Sequence, residues 1–244
     1  MLEFRPMTVE AGAISENIAR IRDLIARAAG RAGRQAEEIA LVAVSKTFPA
    51  DAIRAAYDAG LRHFGENRVQ EFEVKRPALA DLDATWHMIG HVQSNKTRKV
   101  AELFSRVDSV DRFSIAERLD AAIAEGAAGT RLPVLIEVKL GGEQTKSGAE
   151  ESAVAQLVEE VTQNCSDLEL RGLMIIPPYA DDPEQARPHF RRLRELRDEL
   201  RQKTGLELPT LSMGMSHDFE VAIEEGATEV RIGTAIFGQR PKAR

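Results

Sequence analysis

Leu41-Val42-Ala43-Val44-Ser45-Lys46 is an apolar run of strand length that ends on a lysine, and the same kind of run recurs along the chain. Others fall at His63–Asn67, Trp86–His91, Arg106–Val110, Val134–Leu140, Leu170–Ile176, Thr210–Gly214 and Glu229–Phe237. Amphipathic helical segments lie between them. Ile14, Ile18, Ile21, Leu24 and Ile25 recur at helical spacing before the first run, with Gly30 or Gly33 to end that helix. Ser114-x-x-Glu117 has the form of a capping box, and Gly126 closes the helix it would open. Strands alternating with helices indicate parallel βαβ units. Eight strands, seven intervening helices and a leading helix in 244 residues are the parts of a (β/α)8 TIM-type barrel preceded by an N-terminal helix. A doubly wound open sheet is the rival. The strand count and the lack of a linker favour the barrel, read as one domain over residues 1–244.

Composition narrows the function classes. Hydrophobic residues at 43% and charged residues at 30% describe a globular chain. A net charge of −6 disfavours a nucleic-acid binder, which needs a basic face, although Arg187 to Arg201 is a local basic stretch. Phe190, Leu193, Leu196 and Leu200 make an apolar stripe there, with the arginines as its solvated side. The lone cysteine, Cys165, excludes an intramolecular disulfide and a cysteine-cluster metal site. No apolar run approaches the length of a membrane span, and Met1–Gly12 has no signal-type core, so a cytoplasmic location is expected; the chain is also expected to be a monomer.

In a barrel of this kind the active face is built from the carboxyl ends of the strands. Those ends carry Lys46, Glu66-Asn67, His91, Asp108 to Asp111, Lys139, Ile176-Pro177, Ser212 to Ser216, and Gly233-Thr234. Phosphate commonly binds after the last two strands. Here the seventh runs into Ser212-Met213-Gly214-Met215-Ser216, with a helix expected near His217, and the eighth into Arg231-Ile232-Gly233-Thr234. Glycine lets backbone approach an oxyanion, and amides at a helix start point at it. Tight turns would explain either glycine singly; their coincidence after these two strands favours a phosphate cradle. A lysine walled by apolar residues can attack an aldehyde, so Lys46 and the two cradles together point to a covalently held, phosphorylated aldehyde, with pyridoxal 5'-phosphate the leading candidate. Arg231 shares its strand face with Gly233 and needs either a ligand or an ion pair with Glu66 or an Asp. As a pure donor facing a pyridine nitrogen, it would keep that nitrogen unprotonated. His87 and His91 lie about 13 Å apart in a strand, too far to share zinc.

These stretches closely resemble the pyridoxal phosphate homeostasis proteins of the YggS/PROSC type. The matching residues are Ala43 to Lys46; Phe64-Gly65-Glu66-Asn67 with Val69-Gln70-Glu71; Trp86 to Lys96; and Glu143 with Lys146-Ser147-Gly148. Arg171-Gly172-Leu173-Met174, Ser212 to Ser216, and Val230 to Gly238 complete the set. Ile89 to Lys96 and the pair Met213–Ser216 and Arg231–Thr234 are the most specific. The resemblance implies a barrel like the N-terminal domain of alanine racemase, with pyridoxal phosphate as a Schiff base on Lys46. It implies cofactor contacts from Asn67, Ser212, Met213, Gly214, Ser216, Gly233 and Thr234, and Arg231 near the pyridine nitrogen. It also implies a role in cofactor homeostasis without established catalysis, with apo forms of pyridoxal-phosphate enzymes as partners. Lys139 stands where the family often has Asn, and would be a competing amine if it pointed into the site. The alternative is an enzyme such as an amino-acid racemase. That needs a base on each face of the cofactor adduct, and the chain has only Tyr57 and Tyr179, with no second domain expected to supply another base.

Overall fold

The computed structural model describes residues 11–126, 130–140 and 147–239. Its strands are β1 (Ala40–Val44), β2 (His63–Glu66), β3 (Thr85–Met88), β4 (Arg106–Val110), β5 (Leu132–Lys139), β6 (Ala149–Glu150), β7 (Leu168–Ile175), β8 (Thr210–Ser212) and β9 (Glu229–Ile232). They are parallel, and the order β4-β3-β2-β1-β9-β8-β7-β5 is closed by a β4–β5 pairing. Eight strands therefore close a barrel, and β6 is a two-residue addition on the edge of β5.

The helices between these strands are α2 (Ala50–Asp58), α3 (Val69–Lys75), α4 (Thr97–Leu103), α5 (Phe113–Gly126), α6 (Glu151–Asn164), α7 (Arg187–Thr204) and α8 (Phe219–Glu224). They follow the leading helix α1 (Ala11–Arg31), whose Ile14, Ile18, Ile21 and Ile25 are buried as their spacing requires. The buried stripe of α7 is Phe190, Leu193, Leu196 and Leu200. Its arginines are matched by acids: Arg187 and Arg191 meet Glu225, and Arg192 meets Glu151 and Glu199. The basic stretch is thus a network of ion pairs.

Side chains alternate between the barrel interior and the helical shell. Phe64 faces outward, its ring 5.3 Å from Trp86, which in turn stacks on Phe72 of α3. Gly65 faces inward, where an added Cβ would lie 3.3 Å from Val42. Val42 and Val44 of β1 thus line the interior.

Several boundaries differ from the sequence expectation. β1, β2, β3 and β8 stop before Lys46, Asn67, His91 and Gly214, so these residues stand in the rim loops. The eighth run breaks at Gly233: β9 ends at Ile232 and Thr234–Phe237 forms a short helix, α9. α8 opens at Phe219, two residues beyond His217, after a turn. Ser114 lies inside α5, which already begins at Phe113, so it is not the cap. Glu143 and Lys146 lie outside the described residues.

Candidate functional site

β8, β9, β1 and β2 are consecutive around the barrel, so the loops that leave them share one sector of the carboxyl rim. Ala43 pairs with Ile232, which brings Gly233 beside Val44: a Cβ on Gly233 would sit 3.3 Å from both the side chain and the carbonyl of Val44. Two residues on from Val44 is Lys46, half-buried, followed by the buried Phe48. The Phe48 ring packs 4.9 Å from Phe237 of α9. The lysine and the Gly233-Thr234 loop are therefore tied together by strand pairing and by an aromatic contact.

The loop after β8 is joined to the loop after β9. Arg231 N–H donates to the Gly214 carbonyl at 3.0 Å, and Ala235 N–H donates to Ser216 Oγ at 3.4 Å. Gly214 has φ +95°, a conformation that costs a side-chain-bearing residue, and a Cβ there would meet Ala222 and Phe219 of α8. Two residues of this segment are engaged by the protein itself. Ser212 is fully buried, and its Oγ accepts a 2.7 Å bond from Arg231, so it holds the arginine from below. Met213 sends its side chain into the helical core and its N–H to Glu229 O at 3.1 Å. The Met215 N–H is engaged by Asp218 Oδ1 at 2.6 Å, a carboxylate that sequence reading did not anticipate.

Arg231 is 3% exposed and points into the barrel, as the alternation requires. It donates to Ser212 Oγ and, at 2.7 Å, to the Ile175 carbonyl, both neutral acceptors. The anticipated ion-pair partner Glu66 faces away and bonds Lys75 of α3. Burial holds the guanidinium below its ordinary value. Nearby on β5 stands Glu137, which sequence reading missed: burial pushes its carboxyl up to about 7 against the pull of Arg231. An acidic residue within an otherwise apolar strand, at a position that alternates inward with Leu135, was the signal available for it.

Asn67 lies at the rim, one residue past β2, and lines a cavity of about 370 Å³ with Arg68, His91, Gln93 and Lys96. His91 is exposed and pairs with Asp111 at 3.1 Å, while His87 is buried and bonds Asp108 and His63. The two histidines thus serve separate places. His87, Asp108 and Glu229 come close enough to suggest a cation site. Arg106, however, bonds Asp108 at 2.6 Å and lies 3.1 Å from Glu229, so a guanidinium already compensates these acids. Lys139 is held by Glu150 at 2.8 Å on the β5–β6 edge, which occupies the extra amine. Cys165 is buried, and burial pushes its thiol up to about 11, the behaviour of an inert core residue.

A closed parallel barrel with a rim lysine and two joined glycine-bearing loops defines the class. The family model for the alanine racemase N-terminal domain matches residues 9–241. The pyridoxal phosphate homeostasis protein of Pseudomonas aeruginosa is 50% identical over 227 residues, covering 93% of this chain and 96% of that one. PipY of Synechococcus elongatus, solved with PLP bound, is 40% identical with a TM-score of 0.82, covering 92% of this chain and all of that chain. An alanine racemase from Corynebacterium glutamicum shares the fold at 18% identity and a TM-score of 0.70, covering 95% of this chain and 61% of the racemase. The chain belongs to the pyridoxal phosphate homeostasis protein family.

Proposed function

We propose that this chain binds pyridoxal 5'-phosphate on the rim formed by β8, β9, β1 and β2, and acts as a single-domain carrier in cofactor homeostasis. The observation that carries the reading is the joining of the two rim loops through Ser216 and Ala235, next to the strand that presents Lys46. The residues present fit the group. Gly233 leaves space that a side chain would fill, and Ser216 and Thr234 bring hydroxyls to the same rim. The cofactor, when bound, supplies an aldehyde and a conjugated pyridine ring.

Lys46 is the amine that holds the aldehyde carbon. The Ser212–Ser216 and Gly233-Thr234 segments receive the phosphate, Ser212 also holding Arg231 and Met213 also anchoring the segment in the core. Arg231, a donor that cannot accept a proton, would face the ring nitrogen, leave it unprotonated and so weaken the ring as an electron sink. Asn67 borders the ring side of the same rim.

The carrier reading is favoured over racemase chemistry by the two tyrosines as well as by Arg231. Tyr57 lies on α2, stacked under Arg62 at the opposite end of the barrel, and Tyr179 is 79% exposed. Neither is a buried base poised at the rim. The chain's working form is then a cytoplasmic monomer whose partners are apo forms of pyridoxal-phosphate enzymes. Among the described residues, no helix is long and apolar enough to cross a membrane.

Three measurements on the purified protein test this. Titration with the cofactor should give a visible absorption band, borohydride should fix the label on the Lys46 peptide, and an apo-enzyme should recover activity when mixed with the loaded protein. Labelling elsewhere, or rapid α-proton exchange on amino acids that depends on Lys46, overturns the proposal.

A further inference from the structure

The Glu71 and Lys75 side chains of α3 reach the backbone on either side of Lys46. Lys75 Nζ donates to the Ser45 carbonyl at 3.1 Å, and Glu71 Oε1 accepts from the Thr47 N–H. Ser45 C=O belongs to the peptide that enters Lys46, and Thr47 N–H to the peptide that leaves it. Both peptide planes flanking the Lys46 Cα are therefore gripped by side chains of one helix. Two fixed planes fix φ and ψ of the residue between them, and with those the direction of its Cα–Cβ bond.

The grip is itself braced. Lys75 and Glu71 are an i,i+4 ion pair, with side chains 11% and 25% exposed. Lys75 also meets the fully buried Glu66 at 3.0 Å, and Ser45 Oγ donates to the same carboxylate at 2.8 Å. Thr47 has φ +69°, a backbone state unfavourable for a β-branched residue that persists only where its surroundings impose it. The bond from Thr47 N–H to Glu71 is such an imposition, placed one residue after the lysine.

We propose that Glu71 and Lys75 are positioning residues that aim the Lys46 amine for covalent capture of the cofactor aldehyde. The inference rests on Lys46 being the attachment residue. Capture joins the amine nitrogen to the aldehyde carbon and expels the carbonyl oxygen as water, with no change of oxidation state. The clamp acts on that step alone, because phosphate recognition lies on the loops after β8 and β9.

Two probes separate these contributions: pyridoxal 5'-phosphate, and pyridoxine 5'-phosphate, whose alcohol cannot condense with an amine. In Glu71→Ala the affinity for pyridoxal phosphate and the yield of borohydride-fixed Lys46 peptide should fall by about tenfold or more, as expected for a misplaced reacting group. Affinity for pyridoxine phosphate should stay within about twofold of the unmodified protein. Glu71→Gln keeps an oxygen for the Thr47 N–H and should recover much of the labelling, which also guards against a folding defect in the alanine variant. Equal loss of both probes, or no loss of either, overturns the clamp. Absence of label on Lys46 in the unmodified protein overturns the attachment reading, and the clamp with it, and so is distinguishable from failure of the clamp alone.

Discussion

Lys46 stands two residues beyond the last hydrogen-bonded residue of β1 and is half-buried. Its replacement should therefore be tolerated by the fold. Lys46→Ala is expected to melt close to the unmodified protein, yet to give no visible band with pyridoxal phosphate and no borohydride-fixed peptide. A normal band with the label on Lys139 would reassign the attachment. The loops opposite are tested through their contacts. Ser216→Ala removes the acceptor for Ala235 N–H and a hydroxyl for the phosphate, a loss of about 1.5–3 kcal/mol in cofactor affinity where the contact is charged. Gly233→Val should weaken retention more, because its Cβ already meets Val44 at 3.3 Å and the remaining methyls must project towards the ligand side. Equal affinities for the three proteins would place the phosphate elsewhere. Ser212→Ala should act differently: it strips an acceptor from a buried guanidinium, so the loss falls on stability as well as on binding.

At the scale of elements, the motif Arg171-Gly172-Leu173-Met174 acquires a physical reason. Along the β5–β7 pair, Val134 faces Leu170 while the next residue, Leu135, faces Gly172, so Arg171 is an extra residue in β7. The irregularity puts Gly172 at φ +150°, where an added Cβ would fall 1.9 Å from the Thr210 carbonyl of β8. Gly172→Ala should lower the unfolding free energy by about 3 kcal/mol or more, read by urea denaturation, because neither strand can retreat without breaking the barrel ladder. A change below about 0.5 kcal/mol would mean the ladder yields freely. The barrel itself was legible because alternation of two periods survives in the sequence: the isoleucines of α1 and the leucines of α7 are buried where their spacing put them. Element ends were less legible. Thr234-Ala235-Ile236-Phe237 reads as more strand by composition, and only the backbone at Gly233 turns it into α9. Of the rim, Lys46, Gly214, Ser216 and Gly233 were readable as strand-end chemistry. The Glu71–Thr47 bond depends on which elements lie side by side, and local patterns carry little of that, whereas the Asp218–Met215 bond spans three residues and the inward Glu137 follows from alternation along β5.

The whole molecule carries two groups, the buried Glu137 and the half-buried His63, that titrate in opposite senses. Burial raises Glu137 from 4.5 to about 7, while burial, helped by His87 and Arg106, lowers His63 from 6.5 to about 4. For Glu137 the folded state keeps a proton that the unfolded chain releases. Its contribution is full below pH 4.5 and is lost as pH rises through 7. For His63 the folded state refuses a proton that the unfolded chain takes up. Its contribution is full above pH 6.5 and is lost as pH falls through 4. The Glu137 shift is worth on the order of 3 kcal/mol, that of the half-buried His63 less because solvent screens it, and the two windows overlap between pH 4.5 and 6.5. In the cofactor-free protein the slopes should partly cancel, giving a stability profile flatter than Glu137 alone would produce. Glu137→Gln removes the falling component and leaves the rising one. The variant should gain stability steadily from pH 4 to 6.5 and, by pH 8, exceed the unmodified protein by about 2–3 kcal/mol. Unfolding free energies from urea titrations at closely spaced pH values read this directly, and a Glu137→Gln profile parallel to that of the unmodified protein would show that Glu137 titrates in the folded protein as it does in the unfolded chain and is ionised at neutral pH. The carboxylate would then be a standing counter-charge to Arg231, whose guanidinium would be half of an ion pair instead of being held by Ser212 and the Ile175 carbonyl alone.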